Sequence, residues 1–271
     1  MIHRSLSRRF LFPLALVAAV AVSGHSAFAA ADTPSPRKDA NSQLGHEQLL
    51  KKTQQGKIDL YFLGDSITRR WGAEDYPQLL AQWKQSFHGW NAADFGWGAD
   101  LTQNILWRIS NGELDGVNPK VIVLLAGTNN IGNAPTPTRA AETARGIEAI
   151  VKTCKAKAPK ATIILMAIFP RKGSELTNSA INETNERIAK LADGKTVRFL
   201  NINDQLADKD GKLFEGVTMD GLHPSLKGYE IWAKNLKPLL TELLGPPAAV
   251  DNAPPPTGDP KAATKNRDPS S

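Results

Sequence analysis

An α/β fold, with a five-stranded parallel sheet covered by helices on both faces, is predicted by two features of the chain. Short apolar runs alternate with helical patterns through short connections, the signature of βαβ units. The central run over 121–126, beginning Val121-Ile122-Val123-Leu124-Leu125, is also apolar throughout, which suits a strand buried on both faces.

In order, the first strand covers residues 58–63, and a helix over 74–86 follows with Leu79, Leu80 and Trp83 on its apolar face. A short strand over 92–95 precedes a helix over 100–109. There Leu101, Ile105 and Ile109 form one stripe, and Asp100 with Gln103 reads as a capping box. A strand over 121–126, a helix over 137–158, a strand over 162–168, a helix over 178–192 and a strand over 197–202 complete the alternation. The last helix is expected over 225–244. Together these elements make one domain, from 37 to 244.

Both ends of the chain read differently. Arg4, Arg8 and Arg9 precede an apolar stretch over 10–22 and a small-x-small site at Ala27-Phe28-Ala29. That is the pattern of a signal peptide over 1–29, cleaved after Ala29, so the protein is expected to be exported to the periplasm or beyond. The apolar run is short for a membrane span, so no stable insertion is expected after cleavage. Ser7-Arg8-Arg9-Phe10-Leu11 also faintly resembles a twin-arginine signal. Residues 30–36 read as a linker. Beyond 245 the Pro- and Ala-rich composition offers little to bury, and a disordered tail over 245–271 is expected.

The formal charge of +6 includes the three leader arginines, so the mature chain carries +3. Without a basic block or an aromatic-interleaved Lys/Arg stripe, nucleic acid is not an expected partner. The single cysteine, Cys154, rules out an internal disulfide and reads as a small buried apolar residue. There is no i, i+4 histidine pair, cysteine cluster or calcium-type acidic loop, so no metal is expected. Gly96-Trp97-Gly98 has Leu101 where a dinucleotide fingerprint needs its third glycine, so no cofactor is expected either.

Three fragments carry chemistry. Gly64-Asp65-Ser66-Ile67-Thr68 follows the first strand directly. It places a serine on a turn above the carboxyl edge of the sheet, where open α/β folds hold ligands. Asp220-Gly221-Leu222-His223-Pro224 supplies an imidazole and a carboxylate three residues apart, enough to complete a Ser-His-Asp set with Ser66. Gly127-Thr128-Asn129-Asn130 ends another apolar run. Asp65 is expected to brace its turn and Asn130 to hold its loop. His46 and His88 are read as structural. Trp71 and Trp97 lie near these blocks and suit core packing as well as stacking on a sugar ring or lining an acyl pocket.

Together with Phe95-Gly96-Trp97-Gly98-Ala99-Asp100-Leu101-Thr102, these fragments resemble the four blocks of the SGNH, or GDSL, hydrolases. The run Asn104-Ile105-Leu106-Trp107-Arg108-Ile109-Ser110-Asn111-Gly112-Glu113-Leu114 is similar to the branch holding the catalytic subunits of intracellular platelet-activating-factor acetylhydrolase and many exported bacterial esterases. The resemblance implies a three-layer, flavodoxin-like α/β/α sandwich and ester hydrolysis through an acyl-serine. It assigns Ser66 as nucleophile, His223 as base and Asp220 as its orienting acid. The Ser66 and Ala99 backbone N–H groups and the Asn129 amide become oxyanion donors. The family carries glycine where this chain has Ala99, and the donor survives provided the backbone there does not require a positive φ. Ile67 and Leu222 resemble positions that bound a short acyl chain. The expected substrate is a small acyl ester, foremost an acetylated carbohydrate, given the exported compartment and the Trp residues. A lysophospholipid or other lipid ester is the nearest competitor, and a non-catalytic carbohydrate- or envelope-binding module on the same fold is a third reading.

Overall fold

The computed structural model describes Met1 and residues 30–258. The expected signal peptide over 1–29 and the stretch 259–271 therefore lie outside the described residues, apart from Met1.

The sheet is built from β1 (Leu60–Gly64), β2 (Ala92–Gly96), β3 (Val121–Leu125), β4 (Thr162–Met166) and β5 (Val197–Leu200), in the order β2-β1-β3-β4-β5. Every pairing is parallel, as predicted. The chain leaves β1 toward β2 on one side and returns to β3 on the other. A crevice at the carboxyl ends of β1 and β3 follows from this reversal.

Strand side chains alternate between the two faces, and each face meets its own helix layer. Tyr61, Leu63, Ile122, Leu124, Ile163 and Leu165 share one core with α1 (Ala40–Lys52), α4 (Thr102–Arg108), α6 (Arg139–Lys157) and α7 (Glu175–Ala189). Leu60, Phe62, Val121, Val123, Ile164 and Met166 share the other with α3 (Pro77–Phe87) and α8 (Leu226–Leu244). Two one-turn helices, α2 (Ser66–Arg69) and α5 (Thr128–Ile131), sit at the ends of β1 and β3. The result is the expected three-layer sandwich.

Several boundaries differ from the sequence reading. The helix expected from 178 begins at Glu175, because the Ser174 hydroxyl caps it by accepting from Thr177 N at 3.2 Å. Asp100 does not cap α4. The Leu101 N–H donates to Asn104 Oδ1 at 2.9 Å, while the Asp100 carboxylate turns inward to Arg108. Helix α1, absent from the prediction, is capped by Asp39, which accepts from Ser42 N at 2.9 Å.

The linker and tail also need correction. Residues 30–36 pack on the domain, with Thr102 Oγ1 donating to the Ala31 carbonyl at 2.8 Å and Ser35 N to that of Gln103 at 3.0 Å. Over 245–258 the expected disorder gives way to a segment fixed by polar contacts. Ala248 N donates to the Gly89 carbonyl, Lys57 N to that of Asn252, and Glu74 N to that of Thr257. Thr257 is buried and takes a hydrogen bond from Lys52 Nζ. Composition alone misses such a segment because hydrogen bonds to distant parts of the chain hold it, with Pro254 buried beside them.

Candidate active site

The first turn after β1 is built for close approach. A Cβ at Gly64 would meet Thr68 Oγ1 at 2.1 Å and the Leu125 carbonyl at 2.5 Å. A Cβ at Gly96 would meet the Arg69 backbone nitrogen at 2.3 Å. Glycine at both positions lets α2 lie directly over the ends of β1 and β2. Asp65 caps α2 by accepting from Ile67 N at 2.9 Å, the bracing role expected of it. Burial pushes its carboxyl up to about 7, against the pull of that N–H.

Ser66 Oγ lies 2.9 Å from His223 Nε2, and His223 Nδ1 lies 2.7 Å from Asp220 Oδ2. Asp220 Oδ1 also accepts from the backbone N–H groups of Leu222 at 3.0 Å and His223 at 2.8 Å. Partial burial works against ionisation of this acid, but the hydrogen bonds from His223 and Leu222 outweigh it and hold the carboxyl at about 2. An ionised Asp220 keeps the proton on Nδ1, which leaves Nε2 to accept from Ser66. Burial pushes the imidazole below 6.5; the Asp220 hydrogen bond opposes this, and the Arg70 and Arg171 charges add to it.

The histidine loop reaches Ser66 because α8 is tied to the serine turn. The buried Tyr229 hydroxyl donates to the Ile67 carbonyl at 2.7 Å. Met219 N donates to the His223 carbonyl at 2.9 Å, closing the loop on itself.

Two backbone N–H groups bear on the oxyanion set the sequence suggests, one in the serine turn itself and one at Ala99. Among the described residues, neither the Ser66 nor the Ala99 N–H donates to a protein acceptor. Ala99 has φ +61°, the left-handed conformation that disfavours a side chain. The condition attached to this alanine therefore fails: its N–H is present, but the residue is held in a strained conformation. That strain is sustained by its surroundings. Arg37 donates to the Gly98 carbonyl, and Arg108 binds Asp100 at 2.7 Å and also pairs with Glu113. Burial pushes the Asp100 carboxyl up to about 6, against the pull of Arg108. His46 completes the cluster, 2.7 Å from Glu113.

Asn129 Nδ2 donates to the Asp100 carbonyl at 2.9 Å, which orients the amide at the end of β3. Its neighbour Asn130 accepts from Thr102 N at 2.9 Å and donates to Thr102 Oγ1 at 3.0 Å, joining the two loops as expected. A groove of about 540 Å³ opens at Asn129, lined by Gln103, Asn133, Arg139, Glu142 and Arg145 among others.

The proposed substrate residues fare differently. Trp71 is fully buried, packed against Phe62, Trp83, Phe87, Tyr229 and Trp232, with its Nε1–H on Gln82. Trp97 is also buried, under the Arg69 guanidinium and against Gly45 of α1. Neither ring can stack on a sugar, and both belong to the core. Ile67 is buried in the same core as Trp71, whereas Leu222 is half-buried at its edge. Sequence reasoning missed Arg70, 3.6 Å from Asp220, and Arg171, which donates to the Thr128 carbonyl at 3.2 Å. Neither carries a local motif, and both make their contacts across long stretches of chain.

A hydroxyl bonded to an imidazole, itself oriented by an ionised carboxylate, can attack an acyl carbonyl and form a covalent intermediate. Comparison with known proteins agrees with that chemistry. The model of the GDSL-like lipase/acylhydrolase family matches residues 62–231. Platelet-activating factor acetylhydrolase IB subunit alpha2 of Homo sapiens is 34% identical over 207 residues, which cover 73% of this chain and 83% of that protein. Subunit alpha1 of Bos taurus is 30% identical over 223 residues, covering 79% and 89%. A GDSL-like lipase from Bacteroides thetaiotaomicron shares the fold with a TM-score of 0.59 at 20% identity, covering 75% of this chain and 98% of its own. A lipolytic G-D-S-L protein from Veillonella parvula does so at 0.52 and 19%, covering 69% and 100%. With the family match spanning the sheet and reaching into α8, the chain belongs to the GDSL-like lipase/acylhydrolase family and is an ester-hydrolysing serine hydrolase.

Proposed function

We propose that the protein is an exported esterase that removes short acyl groups, foremost acetyl, from carbohydrates. The observation that carries the chemistry is the hydrogen-bonded run Ser66–His223–Asp220. Ser66 Oγ attacks the ester carbonyl as His223 Nε2 takes its proton. The Ser66 and Ala99 N–H groups and the second hydrogen of the Asn129 amide then receive the oxyanion. His223 returns the proton to the leaving alcohol, and water repeats the sequence on the acyl-serine. Asp220 stays ionised throughout and stabilises the imidazolium.

Two observations support the finer reading. The groove at Asn129 carries the amides of Gln103, Asn129, Asn130 and Asn133 and the charges of Arg139, Glu142 and Arg145, which gives a hydroxyl-rich alcohol hydrogen-bonding partners. The relatives named acetylhydrolases support the acetyl group. The lipid reading is favoured by the other half of their name, and by Phe214 and Met219, exposed on the loop that carries His223. Export is supported by the basic, apolar and small-residue pattern of 1–29. N-terminal sequencing of the protein recovered from producing cells should read from Ala30.

The deciding experiment is acetate release from acetylated oligosaccharides and acetylated phospholipids, beside p-nitrophenyl esters of graded length. The proposal expects the sugars and the two-carbon ester to lead, with Ser66→Ala inactive on all. Preference for phospholipid or for medium chains would replace the carbohydrate reading. Turnover retained by Ser66→Ala would remove the hydrolase assignment of this site.

A further inference from the structure

We infer that Arg70 is a positioning residue for hydrolysis: its guanidinium braces the Asp220 carboxylate from outside the histidine loop and sets how readily His223 gains a proton. This rests on the Ser66–His223–Asp220 reading above.

Arg70 directly follows α2, and its backbone N–H donates to the Ser66 carbonyl at 3.0 Å. One helical turn therefore fixes it relative to the attacking hydroxyl. Its side chain lies over the Tyr76 ring, with Cζ 5.3 Å from the centroid, a stacking that restricts the long side chain. From there Nη1 lies 3.6 Å from Asp220 Oδ2, the same oxygen that accepts from His223 Nδ1. Ser66, Arg70, Asp220 and His223 thus close a ring of contacts between α2 and the histidine loop.

Asp220 needs such a brace. Its side chain is 45% exposed, so water competes for it, and its hydrogen bonds come from its own turn. Among the described residues, Arg70 is its one partner from elsewhere in the chain. The guanidinium also shares that carboxylate with the imidazole, so it weakens the attraction an imidazolium would feel. The charged groups that act most on His223 are Asp220 from its own turn, Arg70 beside α2 and Arg171 from the loop after β4, with the Lys172 side chain packed against Gly221 of the histidine loop. Burial depresses the imidazole first, and both arginines push in the same direction while Asp220 resists.

Removing the Arg70 charge should let His223 protonate at higher pH. The test is kcat/KM for p-nitrophenyl acetate against pH in the parent, Arg70→Met and Arg70→Lys, with Ser66→Ala as background. Circular dichroism would confirm that each variant folds. Arg70→Met should move the acidic limb upward, so that kcat/KM on that limb falls about threefold at fixed pH, with a smaller change at the plateau. Arg70→Lys should keep the parent limb. A superimposable Arg70→Met profile, a uniform loss without displacement of the limb, or an equal displacement in Arg70→Lys would overturn the inference. Activity in Ser66→Ala would instead defeat the underlying hydrolase reading, whatever the arginine variants show.

Discussion

The side of the site around Ala99 and Asn129, proposed above as oxyanion donors, and the side around Asp220 and His223 are held by different means. Behind the donors lies a buried set of charges, with Asp100, Arg108 and Glu113 each almost wholly removed from water. Arg37 fixes the Gly98 carbonyl and Asn130 ties α4 to α5. The base instead rides a loop whose acid is half exposed and whose neighbour Met219 is 50% exposed. That loop is shaped by its own turn and joined to the serine by Tyr229 and Arg70. The donor geometry is therefore a property of the fold, and the base geometry a property of one loop. Changes behind the donors should register as lost stability, and changes on the loop as lost turnover in a sound fold.

The largest expected effect is on the base. His223→Ala should lower turnover on the order of 10⁵–10⁶-fold, and Asp220→Asn roughly 10⁴-fold, both with a thermal midpoint near the parent's. A fall in midpoint with either would show that the loop also carries the fold. Next comes Arg108→Met, which leaves Asp100 and Glu113 buried without their main partner. Urea unfolding should show a loss of about 3–5 kcal/mol, and an unchanged midpoint would erase the contrast between the two sides. Asn129→Ala should cost roughly 10²–10³ in turnover; a loss confined to KM would remove the amide from the donor set. The smallest effect belongs to Ala99→Gly, which relieves a left-handed alanine and should raise stability by about 1 kcal/mol. No gain there would mean that the ion cluster holds this backbone without strain.

Much of this arrangement was legible because its parts are local. The strands announced themselves as short, mostly apolar runs, unbroken in Val121–Leu125, and the serine, asparagine and histidine blocks each carry their own spacing. What stayed hidden depended on partners far along the chain. Helix α1 buries Ser42, Gly45, Leu49 and Lys52, a stripe at helical spacing with only one large apolar side chain, so hydrophobic periodicity does not register it. Gly45 is there to admit the Trp97 ring, a fit no pattern in either segment reveals. Asp100 matched a capping-box sequence, but a buried Arg108 competes for carboxylates more strongly than a backbone N–H does. Arg70 was adjacent to the serine motif in plain view. Its function was not, because Asp220 approaches it only after the sheet is assembled.

The C-terminal segment over 246–258 has a consequence for how these molecules tolerate one another in solution. β2 is an outer strand, and an outer strand left bare invites pairing with a neighbouring molecule. Here Thr257 Oγ1 and Lys52 Nζ both donate to the Asp94 carbonyl of that strand, at 3.3 and 3.0 Å. Pro254, Pro255 and Pro256 lie beside Trp83 and Phe87, lining a shared cavity of about 360 Å³. A chain cut at Gly245 would keep every residue of the site and lose this cover. Light scattering should then find active particles that grow with concentration, because what was removed is the molecule's protection against its own kind.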